Sequence, residues 1–401
     1  SLVVGTQKAL FLPWSNLGLV VIDQEHYGTH KLWDQYPRLD NRYAVRELAR
    51  IHKAPLVYSG SSPSLNLAHH IQSGTVVSLP PTPYSLQPKV LGMTYEDRRR
   101  HYLIPNEALK LIRAWLKRQE NVFVLYNRRG SWSAVVCGSC HEAVRCPQCD
   151  LSLTVHGRKG KEKLQCHQCG QAGKMPETCP TCTKKKLRVF GPGGEKIAEI
   201  LREQLRGVKV VQLDAKSVKK FSAGKRPTLF IGTSAAFKIL GPIGVDRAVL
   251  LSPESTMLFP DFRSTERTRV LLQRLQELLP PRRQVLIATR YSRLIQERLA
   301  VSTEKFAKQE LKDRQKLSYP PFMDMIKLTF KAKTEKAAQK KAESARRVIK
   351  FKVRGPFVGS QRRRRGLHES HLLLLGDLEQ LVPLYENAKA DLIDLAPERI
   401  I

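Results

Sequence analysis

Residues 137–182 read CGSCHEAVRCPQCDLSLTVHGRKGKEKLQCHQCGQAGKMPETCPTC and hold all eight cysteines of the chain, as the pairs Cys137/Cys140, Cys146/Cys149, Cys166/Cys169 and Cys179/Cys182. Two thiolates two residues apart on a tight turn can both reach one tetrahedral metal at about 2.3 Å, so two pairs close a four-sulfur site and four pairs provide for two Zn2+ ions. Pro147, Pro180, Gly138 and Gly170 lie in or beside the pairs and suit knuckle turns. Four thiolates leave no open coordination position, which makes the expected zinc structural. The spacing leaves nested and sequential pairing both open. A disulfide framework is the alternative. It fits poorly with a long chain that shows no secretory signal and no apolar membrane run, features that point to a reducing, cytoplasmic setting and no membrane partner.

On either side of the cysteines the pattern is strand, helix, strand. A helix is expected over 106–119 and a strand over 122–126, and the same logic resumes at 187–190, 195–205 and 208–213. A zinc module at about 135–185, inserted into a surface connection of one sheet, accounts for the break, since connections tolerate insertions better than elements do. Later strands are expected at 228–231, 248–251 and 284–289, with an amphipathic helix over 264–279. Upstream, 2–4, 18–23 and 56–59 read as short buried strands and 43–52 and 63–71 as helices. The opening therefore looks like the latter part of an α/β domain, cut within it, since Ser1 leads straight into an apolar run. The proline-rich LPPTPYSLQP stretch from Leu79 reads as a linker. From about Tyr319 a strand at 325–331, a Lys/Ala-rich helix at 334–350 and a strand at 371–375 suggest a small α+β domain. The expected division is 1–78, a linker at 79–104, an α/β domain at 105–318 and a C-terminal domain at 319–401.

Lys and Arg total 69 against 36 Asp and Glu, a formal charge of +33. Such an excess draws a protein towards polyphosphate, which makes nucleic acid the expected partner. Basic runs recur at Arg98–Arg100, Arg128 and Arg129, Lys184–Lys186 and Arg362–Arg365. Tyr27, His30, Trp33, Tyr36, Arg38, Arg42 and Tyr43 interleave rings with cations, a mixture suited to single strands, where each stacked base contributes about 1–3 kcal/mol. The competing reading packs Trp33 and Tyr43 in a core. No base-reading motif is visible, so shape and strand ends are the expected targets. A zinc-stapled RNA or ribosome binder satisfies the same composition.

Five blocks carry a resemblance: GTQKALFLPWSNLGLVVIDQEH (Gly5 to His26), SGSSPSL (Ser59 to Leu65), NRRG with the four cysteine pairs (Asn127 to Cys182), FPDFRSTERT (Phe259 to Thr268) and LSYPPF (Leu317 to Phe322). Together they resemble the primosomal protein N′ (PriA) family of superfamily 2 replication-restart helicases. The resemblance implies two RecA-like helicase lobes, the first incomplete, with a two-zinc cysteine-rich insertion in the second and a small α+β C-terminal domain that helps bind branched DNA. It also implies nested zinc pairing, with Cys137, Cys140, Cys179 and Cys182 on one ion and Cys146, Cys149, Cys166 and Cys169 on the other. Forked and single-stranded DNA, primosome proteins, a replicative helicase loader and single-stranded DNA-binding protein are the implied partners, and the nucleoid the implied place of action. Tyr27, Trp33, Tyr36, Arg38 and Arg42 match the family's aromatic-rich DNA loop.

The chain departs from the family where hydrolysis is performed. The Asp-Glu-Glu-His motif reads Asp23-Gln24-Glu25-His26, and a Gln amide can orient a water but cannot take its proton. Glu25 lies one position further, which on a strand turns a side chain to the other face. No Gly-x-x-x-x-Gly-Lys-Ser/Thr occurs, leaving ATP and Mg2+ without an evident site. Gly191 to Lys196 (GPGGEK) reads as a helix start rather than a phosphate loop. Where relatives carry arginine fingers this chain has Arg274-Leu275-Gln276-Glu277-Leu278-Leu279-Pro280-Pro281. A degenerate helicase scaffold is the expected outcome. The rival is an active 3′ to 5′ helicase with part of its motor elsewhere.

Overall fold

The computed structural model describes residues 1–79, 88–100, 104–126, 134–140, 144, 147, 153–156, 163–165, 172–190, 194–213, 227–257, 261–349, 351–358, 367–377, 379–381, 383 and 388–397. The described residues fall into two compact units. One joins Ser1–Ser78 to Gln309–Ile401; the other comprises Leu79–Cys166 and Gln171–Lys308.

The chain opens with β1 (Val20–Ile22), α1 (Asn41–Ile51), β2 (Leu56–Tyr58) and α2 (Leu65–Gln72). β1 and β2 pair in parallel from Val20↔Leu56 to Ile22↔Tyr58. Asp40 caps α1 by accepting from the Arg42 amide, and Ser64 caps α2 by accepting from the Leu67 amide. Both helix starts therefore come from short polar side chains that satisfy otherwise orphaned donors. The strand expected at 2–4 does not form, and Leu2 and Val4 are each 89% exposed. An apolar triplet needs a neighbouring strand to take its backbone hydrogen bonds, and none of the described residues does so.

The second unit begins with β3 (Lys89–Gly92), α3 (Tyr95–Arg100), α4 (Asn106–Lys117) and β4 (Val122–Tyr126). Five short strands follow: β5 (Ala134–Cys137), β6 (Thr154–His156), β7 (Lys163–Gln165), β8 (Ala172–Lys174) and β9 (Leu187–Phe190). The α/β alternation then resumes through α5 (Gly194–Gln204), β10 (Lys209–Leu213), β11 (Thr228–Gly232), α6 (Phe237–Ile243), β12 (Arg247–Leu251), α7 (Glu254–Met257), α8 (Ser264–Glu277), β13 (Leu286–Thr289), α9 (Ser292–Arg298) and α10 (Thr303–Leu317).

A six-stranded, wholly parallel sheet runs β10-β11-β4-β12-β13-β3. Val122, Val124 and Tyr126 of β4 face a core with Ile112, Trp115 and Leu201, while Phe123 and Leu125 face another with Phe230, Leu250 and Leu272. A parallel sheet is covered on both faces, which is why β4 reads as an unbroken apolar run. The five short strands form a separate antiparallel sheet, β8-β7-β6-β5-β9, interposed in the chain between β4 and α5. The cysteine block is thus an insertion within an α/β unit.

The linker expected at 79–104 is corrected. β3 lies inside it and pairs with β13 from Lys89↔Leu286 to Gly92↔Thr289 as the outer strand of the parallel sheet. Four residues of edge strand directly after a run of prolines carry too little alternation to stand out. The close approach is visible at Gly92, where an added Cβ would lie 2.9 Å from Ser292.

Beyond α10 the chain forms β14 (Asp324–Ala332), α11 (Glu335–Val348), β15 (Val353–Val358), β16 (His368–Gly376) and β17 (Leu392–Leu395). The strands make an antiparallel sheet in the order β15-β16-β14-β17. Ala342 and Ala345 of α11 pack on Ile326, Leu328, Phe330, Leu372 and Leu374, small helix residues against large strand residues. Among the described residues no helix is long and apolar enough to cross a membrane.

Candidate metal centre and aromatic hairpin

Cys137 ends β5, and its backbone neighbour Gly138 donates to the Lys186 carbonyl at 2.7 Å, which draws the turn after β5 against the approach to β9. On the other arm, the Thr183 amide donates to the Cys179 carbonyl at 2.9 Å while Thr183 takes a positive φ of 59°. These two turns bring Cys137, Cys140, Cys179 and Cys182 together, with all four sulfurs within 4.8 Å of one another. Cys137 and Cys182 are 3.5 Å apart and Cys140 and Cys179 3.6 Å. Four sulfurs each about 2.3 Å from a tetrahedral centre stand about 3.8 Å apart, so this set fits zinc, while a disulfide requires about 2.05 Å.

The electrostatics agree with thiolate ligands. The Cys137 thiol is lowered to about 6, chiefly by the backbone N–H of Cys140 and then that of Ser139, whose nitrogen stands 3.3 Å from the sulfur. Cys179 is lowered first by the Cys182 N–H, against the opposing effect of burial. Cys137 and Cys179 are buried and Cys140 and Cys182 half-buried, a closed arrangement suited to a structural ion. Cys146, Cys149, Cys166 and Cys169 lie outside the described residues, as do Arg128, Arg129 and Arg362, Arg363, Arg364 and Arg365.

Asp23 follows β1 and accepts from Ser59 Oγ at 3.0 Å in an exposed position. Gln24 takes a positive φ of 50°, which turns the chain so that Glu25 points inward. The Glu25 carboxylate accepts from Ser64 N at 2.9 Å and Ser64 Oγ at 2.7 Å, at the N-terminus of α2, with the Arg42 guanidinium 3.7 Å away. His26 is buried under Gly60, where an added Cβ would lie 2.8 Å from His26 Nδ1. Asp23 is exposed and Glu25 buried although they stand two positions apart, which on a continuing strand would share a face; the turn at Gln24, beyond the end of β1, separates them.

The aromatic segment folds back on itself. Leu32 N donates to Leu39 O at 2.8 Å and Lys31 bridges Asp40. Lys31, Leu32 and Asp40 are buried at the base, while Trp33 is 45% and Tyr36 60% exposed at the tip. Tyr27 is half-buried with its ring edge-on to His26. Arg38 Nε donates to Trp33 O at 3.0 Å and the guanidinium lies 5.4 Å from the Trp33 ring centroid. Arg42 Nε donates to Asp40 Oδ1 at 2.8 Å. Trp33 and Tyr36 are thus the rings offered to solvent, and Arg42 is tied to its own helix cap.

Sequence reasoning passed over Lys31 and Asp394. Lys31 Nζ lies 2.6 Å from Asp394 Oδ1, and the lysine side chain is completely buried. An acidic residue inside the apolar Leu392-Ile393-Asp394-Leu395 run was the available signal, and it had no meaning until its partner 363 positions earlier was known.

The family described as the PriA DNA helicase Cys-rich region (CRR) domain matches residues 146–173. The chain is similar to replication restart protein PriA of Bacillus subtilis, 29% identical over 373 residues that cover 87% of this chain and 45% of that protein. PriA of Synechocystis is 28% identical over 84% of this chain and 44% of its own length, and PriA of Thermotoga maritima 25% identical over 96% and 54%. The chain spans about half the length of these relatives. Over most of its length, in its cysteine-rich region and in a four-cysteine cluster with zinc geometry, the chain is similar to PriA proteins.

Proposed function

We propose that the chain acts in replication restart inside the cell, binding forked or single-stranded DNA and recruiting primosome proteins on a scaffold that no longer hydrolyses ATP productively. The observation that carries the reading is the alignment of most of the chain with PriA proteins, together with the cysteine cluster. Two RecA-like lobes are part of the proposal, the second built on the parallel sheet with its two cores and the first represented within residues 1–78. So are two Zn2+ ions, one on Cys137, Cys140, Cys179 and Cys182 and one on Cys146, Cys149, Cys166 and Cys169. The inner four cysteines fall within the matched cysteine-rich region, which supports the second ion.

Loss of hydrolysis is supported by two features. Gln24 stands where a carboxylate would take a proton from water, and the neighbouring Glu25 is already engaged by Ser64 N and Oγ. Trp33 and Tyr36 are the proposed stacking rings, Arg38 the neighbouring cation, and Arg128, Arg129 and Arg362 to Arg365 further phosphate contacts.

Fluorescence anisotropy on a labelled fork, a poly-dT strand, a duplex and a structured RNA at matched salt tests the proposal, with DNA-stimulated nucleotide hydrolysis measured beside it. The expected result is preference for fork and single strand, affinity falling steeply with salt, and no turnover. Preference for RNA would overturn the restart reading. Rapid turnover abolished by Gln24→Ala would overturn the loss of hydrolysis.

A further inference from the structure

The hairpin of residues 31–40 is hydrogen-bonded to the C-terminal sheet. Arg38 N donates to Ile393 O at 2.8 Å and Leu395 N to Arg38 O at 2.9 Å, a parallel bridge between Arg38 and Asp394 that adds the hairpin beside β17. Tyr36 Oη donates to Ala390 O at 3.1 Å nearby. At the joint the buried Lys31 ammonium faces Asp394 Oδ1 at 2.6 Å and donates to the carbonyls of Leu395 and Ala396, the latter at 3.2 Å, with Arg38 O at 3.4 Å. Arg38 Nη1 stands 4.0 Å from Asp394 Oδ2 on the same side.

A buried ammonium is costly unless its protons are all matched, and here carboxylate and carbonyl oxygens surround it. Adhesion alone would be served by a leucine at position 31. A charge pair adds register, because one alignment of hairpin and β17 sets the ammonium over the carboxylate, and a one-residue slip turns every side chain of the added strand to the other face. We propose that Lys31 and Asp394 are a positioning pair that fixes the aromatic hairpin as a fifth strand of the C-terminal sheet, so that Trp33 and Tyr36 are held out for a single strand by that sheet. The pair touches no nucleic acid. Its effect on binding rests on the stacking role proposed above for Trp33 and Tyr36.

The test uses the full chain in four forms: native, Lys31→Met, Lys31→Met with Asp394→Leu, and Trp33→Ala with Tyr36→Ala. Hydrogen exchange at the Arg38 and Leu395 amides reads the joint without any DNA, with β14 and β16 amides as the internal reference. Lys31→Met leaves the buried Asp394 carboxylate with only the Arg38 guanidinium 4.0 Å away and is expected to raise exchange at both amides at least about tenfold; the apolar pair is expected to restore protection, as replacement of buried ion pairs often does. Binding to poly-dT should fall about tenfold in Lys31→Met, on the order of one stacked base, with the salt slope unchanged because no phosphate contact is lost. It should recover in the double variant. Unchanged exchange in Lys31→Met overturns the positioning pair whatever the DNA result. A double variant with protected amides but binding still as weak as Lys31→Met also overturns it, since Lys31 would then act on the strand directly. If Trp33→Ala with Tyr36→Ala binds like the native chain, the stacking reading fails and the exchange data alone decide the joint.

Discussion

Glu25→Gln separates two roles that the sequence cannot separate. If Glu25 served a nucleotide, its amide would fold normally and lose turnover. The geometry instead makes the carboxylate part of the fold: it is 4% exposed and accepts from Ser64 N at 2.9 Å and Ser64 Oγ at 2.7 Å. Hydrogen bonds to a charged acceptor contribute roughly 1.5–3 kcal/mol each, and a negative charge at a helix N-terminus about 0.3–1 kcal/mol more. Gln keeps one carbonyl oxygen for one donor, and the Ser64 hydroxyl can rotate to accept from the amide, so part of the interaction survives. Arg42 keeps Asp40. The net loss is therefore about 2 kcal/mol, which for a unit of roughly 150–250 residues lowers Tm by about 4–8 °C. Thermal unfolding followed by circular dichroism would show it, and Asp23→Asn is the control. Asp23 is exposed and should stay within about 0.5 kcal/mol of native. Native-like melting of Glu25→Gln would refute the structural role and return the carboxylate to the list of groups free for chemistry.

Nested zinc pairing predicts a particular pattern of metal loss. Cys137→Ser and Cys179→Ser, alone or combined, should each lose the same single equivalent of zinc by mass spectrometry, whereas sequential pairing predicts that the combination loses two. Chelation should unfold the β5 to β9 sheet and leave exchange protection in β4, β11 and β12 intact. His371 is held well below 6.5, first by burial and then by Lys327 and Lys331, so it is neutral in the fold. An imidazole whose folded value is depressed supports stability above its unfolded value, and that support is lost as pH falls below about 6.5, at up to about 1.4 kcal/mol per pH unit. Urea unfolding of the native chain at pH 7.5 and 5.5 should show this loss, and His371→Asn should flatten it. Gly60→Ala should cost about 1–3 kcal/mol by pushing into His26, measured by the same melt that reads Glu25→Gln.

Legibility followed the length over which a pattern repeats. β4 was readable to the residue because five consecutive apolar positions leave few alternatives, and α8 because its apolar stripe runs for several turns. The metal centre was readable because spacing alone encodes chelation, although which pairs share an ion depends on how the turns at Gly138 and Thr183 meet, and no local pattern carries that. β3, β15 and β17 were missed for the opposite reason. β15 is broken by a register shift between Arg354 and Phe357, and β17 has four residues with a carboxylate among them. The joint at Lys31 was the least legible feature. Its two halves lie 363 residues apart, and each alone reads as a surface charge.

The energetic independence of the insertion explains how a metal module can sit inside an α/β unit without disturbing it. The parallel sheet has large apolar clusters on both faces, built from β4, β10, β11, β12 and β13 with α4, α5 and α8, and none of the described cysteines belongs to either cluster. Among the described residues of the insertion, the buried apolar side chains are Val135, Val144, Leu153 and Leu164, with Cys137 and Cys179. Four aliphatic side chains at about 1.5–3 kcal/mol each cannot offset the ordering of five strands. A structural zinc site contributes roughly 10–16 kcal/mol to folding, which is the scale of the shortfall that such a small sheet leaves. Zinc on Cys137, Cys140, Cys179 and Cys182 would hold the described part of the insertion, while the parent sheet is held by its two cores. Substitutions in the cysteine block should change the one while the strands that carry it keep their register.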